Sequence, residues 1–130
     1  MADPAKLIGV APILLVKDVQ ASAQYWKEKV GFAQMDLYGE PQSFAIGARD
    51  EIRVMLAQVR VGTKIVPYWQ TIKMMWNAYF WVNDAKALYE ELIERGAKID
   101  YKLGMKPYGV LEFGIQDLDD QDIAFGQVVR

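Results

Sequence analysis

The side chains of this sequence that could do chemistry are carboxylates, hydroxyls and amides, because the chain contains no histidine and no cysteine. Histidine is the commonest metal ligand and the usual general base near neutral pH, and cysteine supplies thiolates and disulfides. A metal site in this chain would have to be built from carboxylates alone. Two groups of residues are candidates for a functional site. One is Glu112 with Tyr108, which lies four residues before it, and the other is the alternating series Asn77, Tyr79 and Trp81.

Glu112 has several roles that the sequence leaves open. It is either a pocket carboxylate that attracts a cationic ligand or a structural hydrogen-bond acceptor near the edge of a sheet. In an enzyme it would work as an acid or base with Tyr108 or Tyr79, because burial can raise the pKa of a carboxyl group into a useful range.

Asn77, Tyr79 and Trp81 lie in a segment that reads as a strand, and every second side chain of a strand lies on the same face. If Asn77 faces a pocket, the two aromatic rings face it as well, and the residues between them pack under the helices. Tyr79 and Trp81 then form a stacking platform for a planar ligand, or they fill an ordinary core, since aromatic residues serve in both settings.

The segment that connects the two halves of the chain is unusually aromatic. It contains Pro67-Tyr68-Trp69, followed by Met74-Met75-Trp76. One interpretation is an aromatic flap that covers a pocket, and the other is a surface segment that packs against a partner subunit. Methionine is adaptable and is common on surfaces that accept several ligands.

The elements that must position these residues are repeated along the chain. Val16-Lys17-Asp18 and Val82-Asn83-Asp84 each follow an apolar run and precede a helical pattern, and the two patterns end in Gly31 and Gly96. A repeat of this size determines the whole fold, and two such units fill one domain. We predict a single domain over residues 1–130, with a first module at 7–59, a connector at 60–75 and a second module at 76–130.

Each module is predicted to contain a strand, a helix and three further strands. In the first module Leu7–Val16 reads as a strand, Asp18 caps the helix, and Gly31 suits the left-handed turn at its end. Helices on one face of mostly antiparallel sheets define an α+β fold. The uncovered faces of the two sheets are then free to curl toward each other and enclose a pocket.

The overall composition argues against several classes of function. The chain is 52% hydrophobic and 25% charged, as is usual for a globular domain. Its net charge of −2 suits a neutral or cationic partner rather than nucleic acid. No apolar run reaches the roughly 18 residues of a membrane span, and the first residues lack the features of a secretory signal. We expect a cytoplasmic protein with no nucleic-acid or membrane partner.

The order of these motifs resembles the vicinal oxygen chelate superfamily, the group of glyoxalases, bleomycin-resistance proteins and extradiol dioxygenases. The resemblance rests on Val-Lys-Asp-Val before the first helix and Val-Gly-Phe after it, and it continues in Pro107–Phe113, Asp117–Asp120 and Ile123–Gln127. It spans nearly the whole chain and implies a fold of two βαβββ modules.

The resemblance implies the fold of this superfamily without its metal chemistry. The positions of the family's metal ligands correspond to Ala11, Met55, Asn77 and Ala124, whereas a divalent cation needs several oxygen or imidazole ligands. Leu111 also stands where the family has an arginine. We therefore expect no metal and no cofactor.

Metal-free members of the superfamily include the bleomycin-resistance proteins, which bind a cytotoxic drug and withhold it without chemistry. The resemblance implies a homodimer whose clefts lie between the subunits. Our leading hypothesis is sequestration of a planar or cationic antibiotic-like molecule in an aromatic cleft. The predicted ligand-binding residues are Phe44, Met55, Trp69, Asn77, Tyr79, Trp81, Tyr108 and Glu112.

Two other classes of function stay open. A metal-independent isomerase or lyase acting on a small metabolite is favoured if a pocket carboxylate is paired with a second polar group. A module that serves mainly in protein–protein contact is favoured if its own side chains fill the pocket. An open aromatic cleft that is poor in carboxylates favours binding.

Overall fold

A computed structural model describes residues 3–129 of the protein. The first module begins with a strand and a helix, and three strands complete it. Its elements are β1 (Ile13–Val16), α1 (Val19–Lys29), β2 (Gln34–Tyr38), β3 (Phe44–Arg49) and β4 (Ile52–Gln58). The sheet has the order β1-β4-β3-β2, in which β1 and β4 are parallel and the other neighbours are antiparallel.

The second module repeats this arrangement after a connector that contains the short helix α2 (Tyr68–Thr71). Its elements are β5 (Ala78–Trp81), α3 (Ala85–Arg95), β6 (Lys98–Lys106), β7 (Val110–Gln116) and β8 (Asp122–Val128). The sheet has the order β5-β8-β7-β6, again with one parallel pair, β5 and β8. The predicted α+β fold of two βαβββ modules is confirmed.

The two long helices begin and end through the residues that the sequence indicates. The Asp18 carboxylate accepts a hydrogen bond from the Ala21 backbone N–H at 3.1 Å, and Asp84 caps α3 in the same way. These bonds satisfy amide groups that have no partner inside a helix. Gly96 ends α3 at a φ of 86°, a left-handed conformation that glycine adopts without strain.

The first strand is shorter than predicted. Leu7–Val16 reads as one strand, but β1 begins at Ile13. Ile13 pairs with Met55 in the parallel ladder, and the same register would place Val10 opposite Ile52, the first residue of β4, so residues before Val10 would meet the β3–β4 turn instead of a strand. Pro12 also has no N–H to donate to a ladder. The segment before it is extended, and Leu7 and Ile8 are fully exposed.

One aromatic core joins the two modules. Trp26 of α1 packs edge-on against Phe32 at a ring-centroid distance of 5.0 Å and lies 6.3 Å from Phe80 of the second module. Phe80 in turn stacks on Phe125 at 5.6 Å. Each sheet turns one face to this core, so each sheet keeps its other face outside it. None of the helices within residues 3–129 is long and apolar enough to cross a membrane.

Candidate functional site

A cavity of about 770 Å³ lies on the outer face of the second sheet, between that sheet and the connector. We call it the aromatic pocket. Its walls include four aromatic side chains, three carboxylates and two lysines: Trp69, Trp76, Tyr101, Tyr108, Asp100, Glu112, Asp122, Lys73 and Lys106. Concave sites with aromatic walls and a few polar groups are the usual form of small-molecule sites.

Glu112 lies on the pocket floor, and only 1% of its surface is exposed. Its Oε1 accepts hydrogen bonds from the hydroxyls of Tyr79 at 2.7 Å and Tyr108 at 2.6 Å. Its Oε2 accepts one from the Tyr101 hydroxyl at 2.6 Å. Trp76 Nε1 donates to that same hydroxyl at 3.0 Å. The carboxylate thus fixes the orientation of three tyrosine rings.

Small residues on β7 and β8 make room for two of these rings. In the antiparallel register Glu112 pairs with Gly126, and Gly114 pairs with Ala124. A methyl group at Gly126 would collide with the Tyr79 hydroxyl, and one at Gly114 would collide with the Tyr101 ring. The tyrosines therefore lie against the sheet at positions where no side chain rises from the backbone.

The electrostatics of this cluster keep the tyrosines protonated. Burial first, and then the hydrogen bond to Glu112, raises the pKa of Tyr108 to about 12 and the pKa values of Tyr79 and Tyr101 further above their usual range. Within residues 3–129 no lysine or arginine forms an ion pair with Glu112. The direct hydrogen-bond partners of the Glu112 carboxylate are therefore the three tyrosine hydroxyls.

The connector forms the wall opposite the sheet. Trp69 Nε1 donates to the carbonyl of Asp120 at 2.7 Å, and the Tyr68 backbone N–H donates to Asn77 Oδ1 at 3.0 Å. Asn77 Nδ2 donates to Gln121 Oε1 at 3.1 Å. These bonds attach α2 to the start of β5 and to the turn before β8.

That turn is organised by the buried Asp117. Its Oδ1 accepts from the backbone N–H groups of Asp119 and Gln121, both at 2.9 Å, and its Oδ2 accepts from Gln121 Nε2 at 2.8 Å. The same Nε2 donates to the carbonyl of Leu15 at 2.9 Å. Burial raises the pKa of Asp117 to about 6, although these hydrogen bonds act in the opposite direction.

The structure brings some of the predicted ligand-binding residues together and separates others. Trp69, Tyr108 and Glu112 line the aromatic pocket, and Tyr79 joins them through its hydroxyl. Asn77 holds the connector in place. The remaining residues lie elsewhere: Phe44 and Met55 on the outer face of the first sheet, and Trp81 at a second cavity.

Three important pocket residues, Trp76, Tyr101 and Asp122, are missing from the predicted set. Tyr101 reaches Glu112 because β6 pairs with β7 through two register irregularities, which alternation along a strand does not reveal. The signal that points to it is Gly114 on the facing strand, since a glycine inside a strand often marks close approach by another group.

The second cavity, of about 470 Å³, is a groove between the two modules. Trp81 lies there with 64% of its surface exposed. At one side Arg49 of β3 forms a bidentate ion pair with Glu91 of α3, with Nη2–Oε1 and Nη1–Oε2 distances of 2.8 and 2.9 Å. Hydrogen bonding from Arg49 lowers the pKa of Glu91 to about 2. This pair ties the modules together.

The residues at the family's metal-ligand positions do not fit a divalent cation. Among Ala11, Met55, Asn77 and Ala124 the only side-chain oxygen is Asn77 Oδ1, and it already accepts from the Tyr68 N–H. Such cations take several oxygen or imidazole ligands. Within residues 3–129 no group of three or more His, Cys, Asp or Glu side chains is placed to hold a metal ion.

The fold and the sequence pattern together define the family of this chain. The sequence profile of the Glyoxalase/Bleomycin resistance protein/Dioxygenase superfamily matches residues 8–125. The protein belongs to this superfamily, as the resemblance of its motifs predicts. No curated protein matches the sequence.

Solved structures share the fold at low sequence identity. A glyoxalase-related enzyme from Clostridium phytofermentans has a TM-score of 0.75 and 14% identity over 96% of this chain and 98% of its own. The bleomycin-binding protein of Streptomyces verticillus, complexed with copper(II)-bleomycin, has a TM-score of 0.68 and 21% identity over 98% and 99%. Lactoylglutathione lyase from Agrobacterium tumefaciens has a TM-score of 0.64 and 16% identity over 95% of each chain. These similarities show the fold alone.

Proposed function

We propose that this protein is a metal-independent, cytoplasmic small-molecule-binding protein that sequesters a planar or cationic, antibiotic-like ligand in the aromatic pocket. The observation that carries the proposal is a cavity with walls of Trp69, Trp76 and Tyr108 above a buried carboxylate that has no ion pair within residues 3–129. Aromatic faces attract planar rings and cations, and the negative charge of Glu112 adds to the attraction for a cation. The bleomycin-binding relative offers a precedent on the same fold.

The pairing of Glu112 with hydroxyl groups is the arrangement that we expect of an enzyme from the sequence. The direction of these hydrogen bonds nevertheless favours binding over catalysis. A carboxylate has about four acceptor sites, and three tyrosine hydroxyls already use three of those on Glu112. The raised pKa values of these tyrosines keep the hydroxyls as donors. The cluster therefore works as a rigid floor for the pocket.

A metal-independent isomerase or lyase is the alternative function. The observation in its favour is the exposed Tyr108 hydroxyl beside the Glu112 carboxylate, an arrangement in which a proton can pass between substrate and protein. Conversion of a metabolite by the purified protein, lost in Tyr108→Phe, would identify the enzyme.

We also propose that the binding unit is a homodimer. The outer face of the first sheet is apolar and uncovered, with Ile13 at 61% exposure, Leu15 also exposed, and Phe44 and Met55 half-buried. Large exposed apolar patches mark interaction sites. A second copy of the chain on this face would bring Phe44 and Met55 to the ligand cleft of the dimer.

Light scattering across a concentration series tests the dimer. The Met55→Glu variant is expected to be monomeric, because the substitution places a carboxylate in the proposed apolar interface on the first sheet. The matched control is Ile93→Glu, which adds the same charge to the exposed surface of α3. A wild-type protein that is monomeric at every concentration would rule the dimer out.

Tryptophan fluorescence tests the binding function. We would titrate the protein with bleomycin and a panel of planar cationic drugs in the presence of a chelator. A saturable change that is lost in Trp69→Ala and retained in Trp81→Ala supports metal-free binding in the aromatic pocket, because Trp81 lies at the other cavity. No response to any drug from an intact protein would refute the proposal.

A further inference from the structure

A second carboxylate in the aromatic pocket has an unused acceptor. Asp122 is only 7% exposed and lines the pocket. Its Oδ1 accepts from Gln116 Nε2 at 2.8 Å, whereas its Oδ2 receives no hydrogen bond from an N–H or hydroxyl group within residues 3–129. Asp100 lines the same pocket, and its negative charge adds to the rise of the Asp122 pKa.

Asp122 forms no ion pair with a lysine or arginine within residues 3–129, although Lys73 and Lys106 also line the pocket. Lys98 pairs instead with Asp120, at an Nζ–Oδ1 distance of 3.2 Å. Burial first, with a further contribution from the Asp100 carboxylate, raises the pKa of Asp122. Two neighbouring carboxylates repel each other, and a bound cation would relieve that repulsion.

The two ends of the pocket differ in character. At one end Glu112 is occupied by tyrosine hydroxyls, and Lys106 places its Nζ over the Tyr101 ring, 4.9 Å from the centroid. At the other end Gln116 holds Asp122. Gln116 lies four residues beyond Glu112 along β7, which corresponds to about 13 Å in a strand. The pocket is therefore polarised along its length.

We propose that Asp122 and Asp100 anchor an amidinium or guanidinium group of the ligand, and that the ligand's aromatic body extends toward Trp76 and Tyr108. This inference rests on the proposed binding function and names the ligand class, a flat aromatic molecule with its cation at one end. Planar cations with several N–H donors match carboxylate oxygens in paired, charge-assisted hydrogen bonds. Asp122 Oδ2 supplies the free acceptor for one of them.

The test compares two probes of the same shape, biphenyl carboxamidine and its neutral counterpart biphenyl carboxamide. Affinities are measured by calorimetry on the full-length protein. The amidine is expected to bind the wild type at least about tenfold more tightly than the carboxamide, because a charge-assisted hydrogen bond contributes a difference of that size. Asp122→Asn and Asp100→Asn should each remove this preference and leave the affinity for the carboxamide unchanged.

The variants separate a lost anchor from a damaged fold. Asp100 is exposed, so Asp100→Asn keeps the test decisive if Asp122→Asn fails to fold. Glu94→Gln on α3 is the matched control, because it removes one exposed carboxylate from a helix that contributes no residue to the pocket lining. It is expected to keep the full preference for the amidine.

The outcomes distinguish this inference from the proposed function. If both probes bind the wild type equally, or if either Asp100→Asn or Asp122→Asn folds and keeps the preference, the anchor of two carboxylates is wrong and the binding function stands. If neither the probes nor the drug panel bind, the binding function itself fails.

Discussion

At the scale of single residues, Glu112 and its three tyrosines act as one unit. A buried carboxylate needs hydrogen-bond donors, and here the donors are the side chains that also form the pocket floor and wall. Stability and the shape of the site therefore depend on the same bonds.

Replacing Glu112 with Gln is expected to destabilise the protein by about 2 kcal/mol or more. The Gln amide has one acceptor oxygen for three hydroxyl donors, so at least one buried hydroxyl loses its partner. Denaturant unfolding measures the change, with Glu90→Gln on the exposed face of α3 as control. An equal midpoint for wild type and Glu112→Gln would mean that the cluster contributes nothing to stability.

Gly114→Ala is expected to cost about 1 to 3 kcal/mol, as overpacking of a core does. The new methyl group meets the Tyr101 ring, which must leave its place against β7 and release Glu112. Thermal unfolding and the near-ultraviolet circular dichroism of the tyrosines report both effects. Gly104→Ala is a suitable control, because its nearest atom would lie 4.0 Å away, and an equal loss there would contradict this explanation.

At the scale of elements, the turn before β8 links a titrating group to the pocket wall. Protonation of Asp117 at Oδ2 makes that oxygen a donor, so the Gln121 amide must turn to present Oε1. Gln121 would then direct Nε2 at Asn77, which must turn in its own right and release the Tyr68 N–H. Protonation of Asp117 is therefore expected to weaken the attachment of α2, the helix that carries Trp69, to the rest of the pocket wall.

The environment of Asp117 determines whether its titration raises or lowers the stability of the fold. Its folded-state pKa of about 6 lies above the ordinary value of 3.8. This group therefore favours folding fully below about pH 4, and the contribution is lost as the pH rises through 6. The charged groups around the turn are Lys17, Asp119, Asp120 and Lys98, with the Tyr25 hydroxyl on α1.

Asp117→Asn is expected to remove this component of the pH dependence, because asparagine does not titrate. Titration of Asp117 should lower the unfolding free energy of the wild type by on the order of 2 kcal/mol between pH 4 and pH 8. The variant should lack this part of the decrease. Denaturant unfolding at several pH values measures both curves. Parallel curves would show that Asp117 is not the titrating group.

At the scale of the whole molecule, the two modules are joined by the aromatic core and by one ion-pair network. Arg49 bonds Glu91 and the carbonyl of Val30, and Arg95 also bonds Glu91. The Tyr25 hydroxyl of α1 donates to the carbonyl of Gln116 in the second module at 2.7 Å. The pocket and the groove between the modules thus share a rigid frame.

Arg49→Lys is expected to lower the unfolding free energy by about 1 kcal/mol, because lysine keeps the charge but cannot form the bidentate contact. The site is partly exposed, which limits the effect. Lys86→Ala, which breaks an exposed pair with Glu90, should change stability by less than about 0.5 kcal/mol. Comparable losses in the two variants would contradict a joining role for Arg49.

The sequence predicts well those structural features, such as helix caps, that depend on residues close together along the chain. Asp18, Asp84 and Gly96 act within one turn of a helix, so residue type and position are enough to predict their roles. The pocket depends on contacts between different strands, and the irregular pairing that brings Tyr101 to Glu112 is signalled by Gly114 on the facing strand and not by the residues around Tyr101. Trp81 shares a strand face with Tyr79 as alternation requires, yet it borders the groove between the modules.

The sharing of one carboxylate among three tyrosines also constrains how this sequence can change over generations. Losing the exposed Tyr108 first leaves Glu112 with two donors, whereas losing Glu112 first leaves three hydroxyls without their acceptor. The order of substitutions therefore decides which intermediates fold. Gly114 and Gly126 can be replaced by larger residues only after Tyr101 and Tyr79 have been replaced by smaller ones. Substitutions at these four positions should therefore be correlated.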